Sequence, residues 1–147
     1  MTLAHHTAPL DAPDLQSALD ALRAQGLRIS ASRRQVLALL YGDPRPRTAD
    51  ELAGGGDLAS VYRNLETLEA IGLVRHVHVG HGPGLYSLAH LDTEFVACER
   101  CGAYEAVAPE RLASAKRAIE RETGYRPRFT HFPIVGLCAA CTSQTDS

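Results

Sequence analysis

The sequence predicts an α+β chain in two parts, and three observations predict it. Helical periodicity broken by Gly and Pro turns runs from Leu15 to Gly72. An alternating segment (73–79) and its return (85–88) follow. Two CxxC pairs, Cys98-Glu99-Arg100-Cys101 and Cys138-Ala139-Ala140-Cys141, bracket the remainder and hold the only cysteines in the 147 residues. Each pair forms a tight knuckle that aims two thiolates at one metal, so Cys98, Cys101, Cys138 and Cys141 predict a closed, structural four-thiolate Zn2+ site.

Residues 1–13 are small, Pro-bearing and without period, which predicts a disordered arm whose His5 and His6 are solvated. From Asp14, Leu15, Ala18, Leu19 and Leu22 recur at helical spacing, and Gly26 stops the helix. A second helix begins at Ser30 or Ser32 and carries Val36, Leu37, Leu39 and Leu40 to Gly42. Asp43-Pro44-Arg45-Pro46-Arg47 turns, Thr48 caps a short helix from Ala49 to Ala53, and Gly54-Gly55-Gly56 turns again. Asp57 then caps a longer helix, Leu58 to Ile71, closed by Gly72. Short helices joined by tight turns form a helix-turn-helix pattern.

At about 100° per residue, Leu58, Val61, Leu65 and Leu68 of the fourth helix share one apolar arc, while Ser60, Arg63, Asn64 and Thr67 gather opposite. Short polar side chains with one arginine suit a helix lying in a DNA major groove. The hairpin completes a winged helix over 14–88. All basic residues of that module are arginines, and Arg28, Arg33 and Arg34, around the start of the second helix, are the expected phosphate contacts.

A hinge at 89–91 leads to a second domain, 92–147. There Phe95 to Ala97, Tyr104 to Val107 and Arg128 to Val135 read as strands, and Pro109 opens a helix with Leu112, Ala115 and Ile119 inward. Strands with one helix laid across them suit a small α/β dimerisation domain whose edge strand pairs across a two-fold axis.

The formal charge of −2 carries no whole-chain nucleic-acid signature, so DNA affinity requires the arginines to share one face. No apolar run approaches the ~20 residues of a membrane span, and no secretory hydrophobic segment opens the chain. The expectation is a cytoplasmic protein without membrane association, in which paired CxxC motifs bind metal and not disulfides.

Gly26-Leu27-Arg28-Ile29-Ser30 with Arg33, then Ser60-Val61-Tyr62-Arg63-Asn64-Leu65, Gly72-Leu73-Val74 and the two CxxC pairs resemble the ferric uptake regulator family from Leu15 to Cys141. The resemblance implies a homodimeric, metal-responsive repressor that binds palindromic double-stranded DNA, with Tyr62 and Arg63 in the groove. The turn before the fourth helix is shorter than is usual in that family.

A closed four-thiolate site has no free position for sensing, so regulation needs a second, weaker metal site. His76 and His78 are two apart on a strand and face one way, His81 stands on the turn, and His90 lies at the hinge. The resemblance implies another set, Asp92, Glu94 and His131. It also places Thr93, Phe95, Ala113 and Pro46 where the family carries ligands, with Glu110 one turn from Ala113. Two carboxylates and an imidazole favour Fe2+ or Mn2+, whereas histidines alone suit Zn2+.

The leading expectation is a metal-dependent repressor of iron, manganese or zinc uptake genes. The alternative is a peroxide-sensing repressor of the same fold, in which peroxide reacting at bound Fe2+ oxidises His90 or His131. A zinc-dependent enzyme is the remote alternative: four cysteines leave no open metal position, and neither pair lies in an HxE or HExxH context. No catalytic residue is expected.

Overall fold

The computed structural model describes residues 7–80, 82–129 and 133–145. The chain divides into two compact units. One runs to His76 and takes up again at Leu85–His90, and the other comprises Val77–Gly84 and the residues from Leu91 on.

The first unit is built from α1 (Leu15–Ala24), α2 (Ala31–Gly42), α3 (Ala49–Ala53) and α4 (Leu58–Ala70), followed by the two-stranded sheet of β1 (Val74–Val77) and β2 (Leu85–Leu88). All four helices start where a short polar side chain can satisfy an otherwise free N–H. Asp14 accepts from the amide of Ser17, Ser30 from that of Arg33, Thr48 from that of Glu51 and Asp57 from that of Ala59. The apolar stripes meet in one core in which Leu22, Leu37, Leu40, Leu65 and Leu68 are wholly buried, joined by Leu73, Val74 and Leu88.

Residues 7–13, expected to form a free arm, instead lie along this unit. Ala12 is buried, the Leu10 amide donates to the Gly72 carbonyl at 3.0 Å, and the Tyr41 hydroxyl donates to the Ala12 carbonyl at 2.7 Å. Leu10 also packs against the core, which gives the segment an apolar anchor that its composition conceals. Gly72 permits the approach. Its φ of +88° suits glycine, and a Cβ there would stand 2.4 Å from the Ala8 carbonyl oxygen. Gly72→Ala is therefore expected to lower unfolding stability by about 2 kcal/mol. Urea denaturation checks this, and an unchanged midpoint would contradict it.

Arg47 is a further surprise of the first unit: it is buried, and its guanidinium donates to the carbonyls of Asp43 and, more closely, Leu39. Its backbone exchanges hydrogen bonds with Tyr86, so the residue ties the end of α2 to β2.

In the second unit, β3 (Glu94–Cys98) lies between antiparallel β4 (Tyr104–Val107) and parallel β5 (Ile134–Gly136). A short 3-10 turn (Pro109–Leu112) leads into α5 (Ala113–Thr123), and α6 (Ala139–Thr145) follows β5. The third strand is shorter than expected, Ile134–Gly136 against 128–135, and residues 130–132 lie outside the described part. The inward packing expected of α5 does not occur. The helix has no buried residue, Ala115 is exposed and Ile119 is 36% exposed. The helix instead sends Lys116 to Glu94 of β3, and Val96, Tyr104 and Val135 of the sheet stay exposed. No helix among the described residues is long and apolar enough to cross a membrane.

Candidate metal centre and nucleic-acid interface

Strand register creates the metal centre. β3 and β5 run parallel with Cys98 opposite Gly136, so Cys138, two residues past that pair, arrives beside Cys98. The first knuckle turns tightly: the Gly102 amide donates to the Cys98 carbonyl, the Cys98 amide to the Ala103 carbonyl, and Gly102 adopts a φ of +78°. In the second knuckle α6 begins at once, and the Thr142 amide donates to the Cys138 carbonyl. Arg100 ties the knuckles together by donating to the Cys141 carbonyl at 3.2 Å.

The four sulfurs all lie within 4.8 Å of one another, and Cys101 Sγ stands 3.8 Å from Cys138 Sγ. Zn–S bonds of about 2.3 Å arranged tetrahedrally put sulfurs about 3.8 Å apart. The spacing fits a metal and is far from the ~2.05 Å of a disulfide. The electrostatics agree. The backbone N–H of Cys101, with that of Cys138, holds the Cys98 thiol down to about 6. The neighbouring Cys138 thiol, with burial, pushes Cys141 up to about 12. One sulfur is thus prepared as a thiolate, and the other three could ionise beside it only with a cation among them.

Of the residues expected to form a second metal site, the described ones, His76, His78, His90, Asp92 and Glu94, do not by themselves make a group of three that could share an ion. Among the described residues, the four cysteines are the one group of three or more His, Cys, Asp or Glu side chains close enough to share an ion. His131 and His81 lie outside the described residues. His76 Nδ1 lies 2.6 Å from Glu69 Oε1, and its ring tilts against Tyr86. His78 is exposed. His90 stacks on the Tyr41 ring with centroids 6.1 Å apart. Asp92 is half-buried with a φ of +50°. Glu94 is buried, and one oxygen of its carboxylate, Oε1, is held by Lys116 of α5. An alternating pattern marks which residues face one way but is blind to the partners that other elements bring.

The His76–Glu69 contact joins β1 to α4 and has a pH signature. The hydrogen bond to Glu69 raises the His76 pKa above its usual 6.5, against the opposing effect of burial. A raised folded-state pKa gives stabilisation that is complete below pH 6.5 and lost as pH rises through the folded value. The stability lost in His76→Gln should therefore shrink as pH rises from 6.5 through the folded value. Thermal melts across that range check this, and a pH-independent difference would exclude the linkage.

On α4, Tyr62 is 43% exposed and Arg63 is exposed, with Ser60 and Thr67 half-buried. The Thr67 hydroxyl donates back to the Arg63 carbonyl. Asn64 does not belong to the outward face. It is buried, donating from Nδ2 to Ser32 Oγ at 2.9 Å and accepting from Arg33 Nε at 3.2 Å. At ~100° per residue it sits only about 40° from Leu68, on the margin of the apolar arc. Arg33 also donates to the Arg28 carbonyl at 2.6 Å, so it is oriented by its own protein, while Arg28 and Arg34 are exposed. Ser32, which completes this link, was not expected. A polar residue at the margin of an apolar arc was the available signal.

A clustered thiolate centre in one unit, with a helix presenting tyrosine and arginine in the other, defines a metal-binding protein of mixed helix and sheet. The chain belongs to the ferric uptake regulator family, whose model matches residues 24–132. The peroxide operon regulator of Bacillus subtilis is 25% identical over 140 residues, covering 90% of this chain and 97% of that protein. Two solved structures share the fold. The Helicobacter pylori ferric uptake regulator has a TM-score of 0.66 at 18% identity, covering 87% of this chain and 93% of that one. The Pseudomonas aeruginosa ferric uptake regulator with manganese has 0.62 at 24% identity, covering 83% and 98%.

Proposed function

We propose that this chain is a cytoplasmic, homodimeric transcriptional repressor that binds palindromic duplex DNA through a winged helix-turn-helix and controls metal uptake genes. The observation that carries this reading is the outward face of α4, where Tyr62 and Arg63 stand exposed next to Asn64, which holds Arg33. Arg28, Arg34 and Arg63 are suited to phosphate oxygens and base edges, and Ser60, Tyr62 and Thr67 to positioning contacts. Arg33, tethered to Asn64 and Arg28, keeps further N–H donors for phosphate. The four thiolates would hold structural Zn2+, which gives the second unit cohesion that its three short strands lack. The uncovered apolar surface of that unit, including Val96, Tyr104, Ile119 and Val135, supports a second copy as partner. Regulators of this family are not enzymes, and a centre closed by four sulfurs leaves no position for substrate.

The experiment is selection of duplexes from a randomised library by zinc-loaded protein, with Fe2+, Mn2+ or further Zn2+ added in turn. The expected product is a two-fold symmetric motif bound more tightly in one metal, with affinity falling steeply as salt rises. If no motif is enriched under any metal, the repressor reading fails.

Peroxide sensing is the second reading, favoured by the Bacillus subtilis relative, which is a peroxide operon regulator. It predicts that peptides bearing His90 or His131 gain the mass of an oxygen atom after Fe2+ and peroxide. Unmodified peptides would remove it.

A further inference from the structure

Glu94 is 3% exposed, and burying a carboxylate requires a compensating positive charge. The structure supplies it from within the chain. Lys116, projecting from α5, places Nζ on Glu94 Oε1, and its own side chain is only 24% exposed. The same ammonium stands 6.0 Å from the centroid of the Phe129 ring, at the outer range of cation–π attraction. Glu94 Oε2 is buried with no hydrogen-bond partner among the described residues.

The identity of the cation matters. The chain has 15 basic residues, and Lys116 is its only lysine. Arginine spreads its charge over a planar fork, whereas lysine ends in a compact point charge on a flexible stem. A single ammonium on one carboxylate oxygen is the side-chain group most like a small metal ion in size and charge placement. A divalent ion approaching Glu94 would meet this positive charge at close range and would have to displace it. The carboxylate implied as a metal ligand by the family resemblance therefore does not fit a metal here.

We propose that Lys116 serves as a resident cation in place of a regulatory metal at Glu94. β3 and α5 are then joined permanently by an internal ion pair, and any metal signal reaches this chain through groups other than the Glu94 carboxylate. The inference does not depend on operator binding, so its failure would leave the repressor reading standing.

The test is Mn2+ titration by calorimetry on zinc-loaded, full-length protein, with thermal unfolding in parallel. Wild type and Glu94→Gln are expected to give the same Mn2+ isotherm, because Glu94 is not a ligand. Lys116→Met, which leaves the buried carboxylate without a cation, is expected to unfold at a lower temperature. It should gain a Mn2+ site that raises the unfolding temperature again, and the Glu94→Gln, Lys116→Met double variant should lose both the site and the rescue. The proposal is overturned if Glu94→Gln alone weakens Mn2+ binding by about tenfold or more, the scale on which losing a supporting group weakens a metal site. It is equally overturned if folded Lys116→Met gains no Mn2+ site. Should Lys116→Met fail to fold, the comparison of wild type with Glu94→Gln decides between the two outcomes by itself.

Discussion

Cys98→Ser is expected to reduce bound zinc from one ion per chain to none and to lower the unfolding temperature by roughly 10 °C or more, because a structural zinc site contributes directly to folding. Cys98 combines several roles: it ends β3, its amide and carbonyl close the first knuckle, and its sulfur is the one that backbone N–H groups favour as a thiolate. A serine hydroxyl would be a poor ligand for a site built from soft sulfur donors. Elemental analysis and calorimetry of the purified variant check the prediction. Equivalent losses should follow at Cys101, Cys138 and Cys141, since a tetrahedral site missing any one donor is open. DNA binding should fall only as a consequence of lost dimerisation. A stable, zinc-free Cys98→Ser dimer that still represses would refute the structural role.

Asn64→Ala should cost about 1–3 kcal/mol of stability, since it removes a buried amide whose two ends are both engaged and leaves the Ser32 hydroxyl and Arg33 Nε to find new partners. Operator affinity should fall as well, because Arg33 loses one of the contacts that hold it. The informative comparison is Ser32→Ala, which deprives Asn64 Nδ2 of its acceptor but leaves the Arg33 contact. If the α2–α4 link acts by orienting Arg33, Asn64→Ala weakens operator binding well beyond Ser32→Ala at equal folded fraction. Equal losses in the two variants would mean that Asn64 contributes packing alone. Fluorescence anisotropy with the selected duplex, alongside urea unfolding, separates the two outcomes.

Gly72→Ala, the pH dependence of His76→Gln and the Mn2+ series at Lys116 concern contacts that no linear pattern displays. In each, a residue's neighbour comes from elsewhere in the chain: Ala8 for Gly72, Glu69 for His76 and Glu94 for Lys116. Glu69 is nearest in sequence, seven residues before His76, yet it sits on a helix and its partner on a strand.

What the sequence by itself determined is the set of features governed by local rules. The four helices of the first unit begin at Asp14, Ser30, Thr48 and Asp57, where short polar side chains cap free amides. Val61, Leu65 and Leu68 are buried because their spacing repeats with the helix turn. The four cysteines were legible as one centre because two CxxC pairs have the spacing of a four-thiolate site, although it is the β3–β5 register that brings them together. Tertiary structure alone decided which polar groups are used up internally. Asn64 was drawn into the interior by Ser32 and Arg33, and His76 Nδ1 was paired with Glu69. Glu94 was neutralised by a lysine 22 residues away, and residues 7–13 were fastened by a glycine that lets a backbone pass. The reason is physical: periodicity specifies the direction in which a side chain points, whereas a charge or hydrogen bond is satisfied by whatever other element packing brings within about 3 Å.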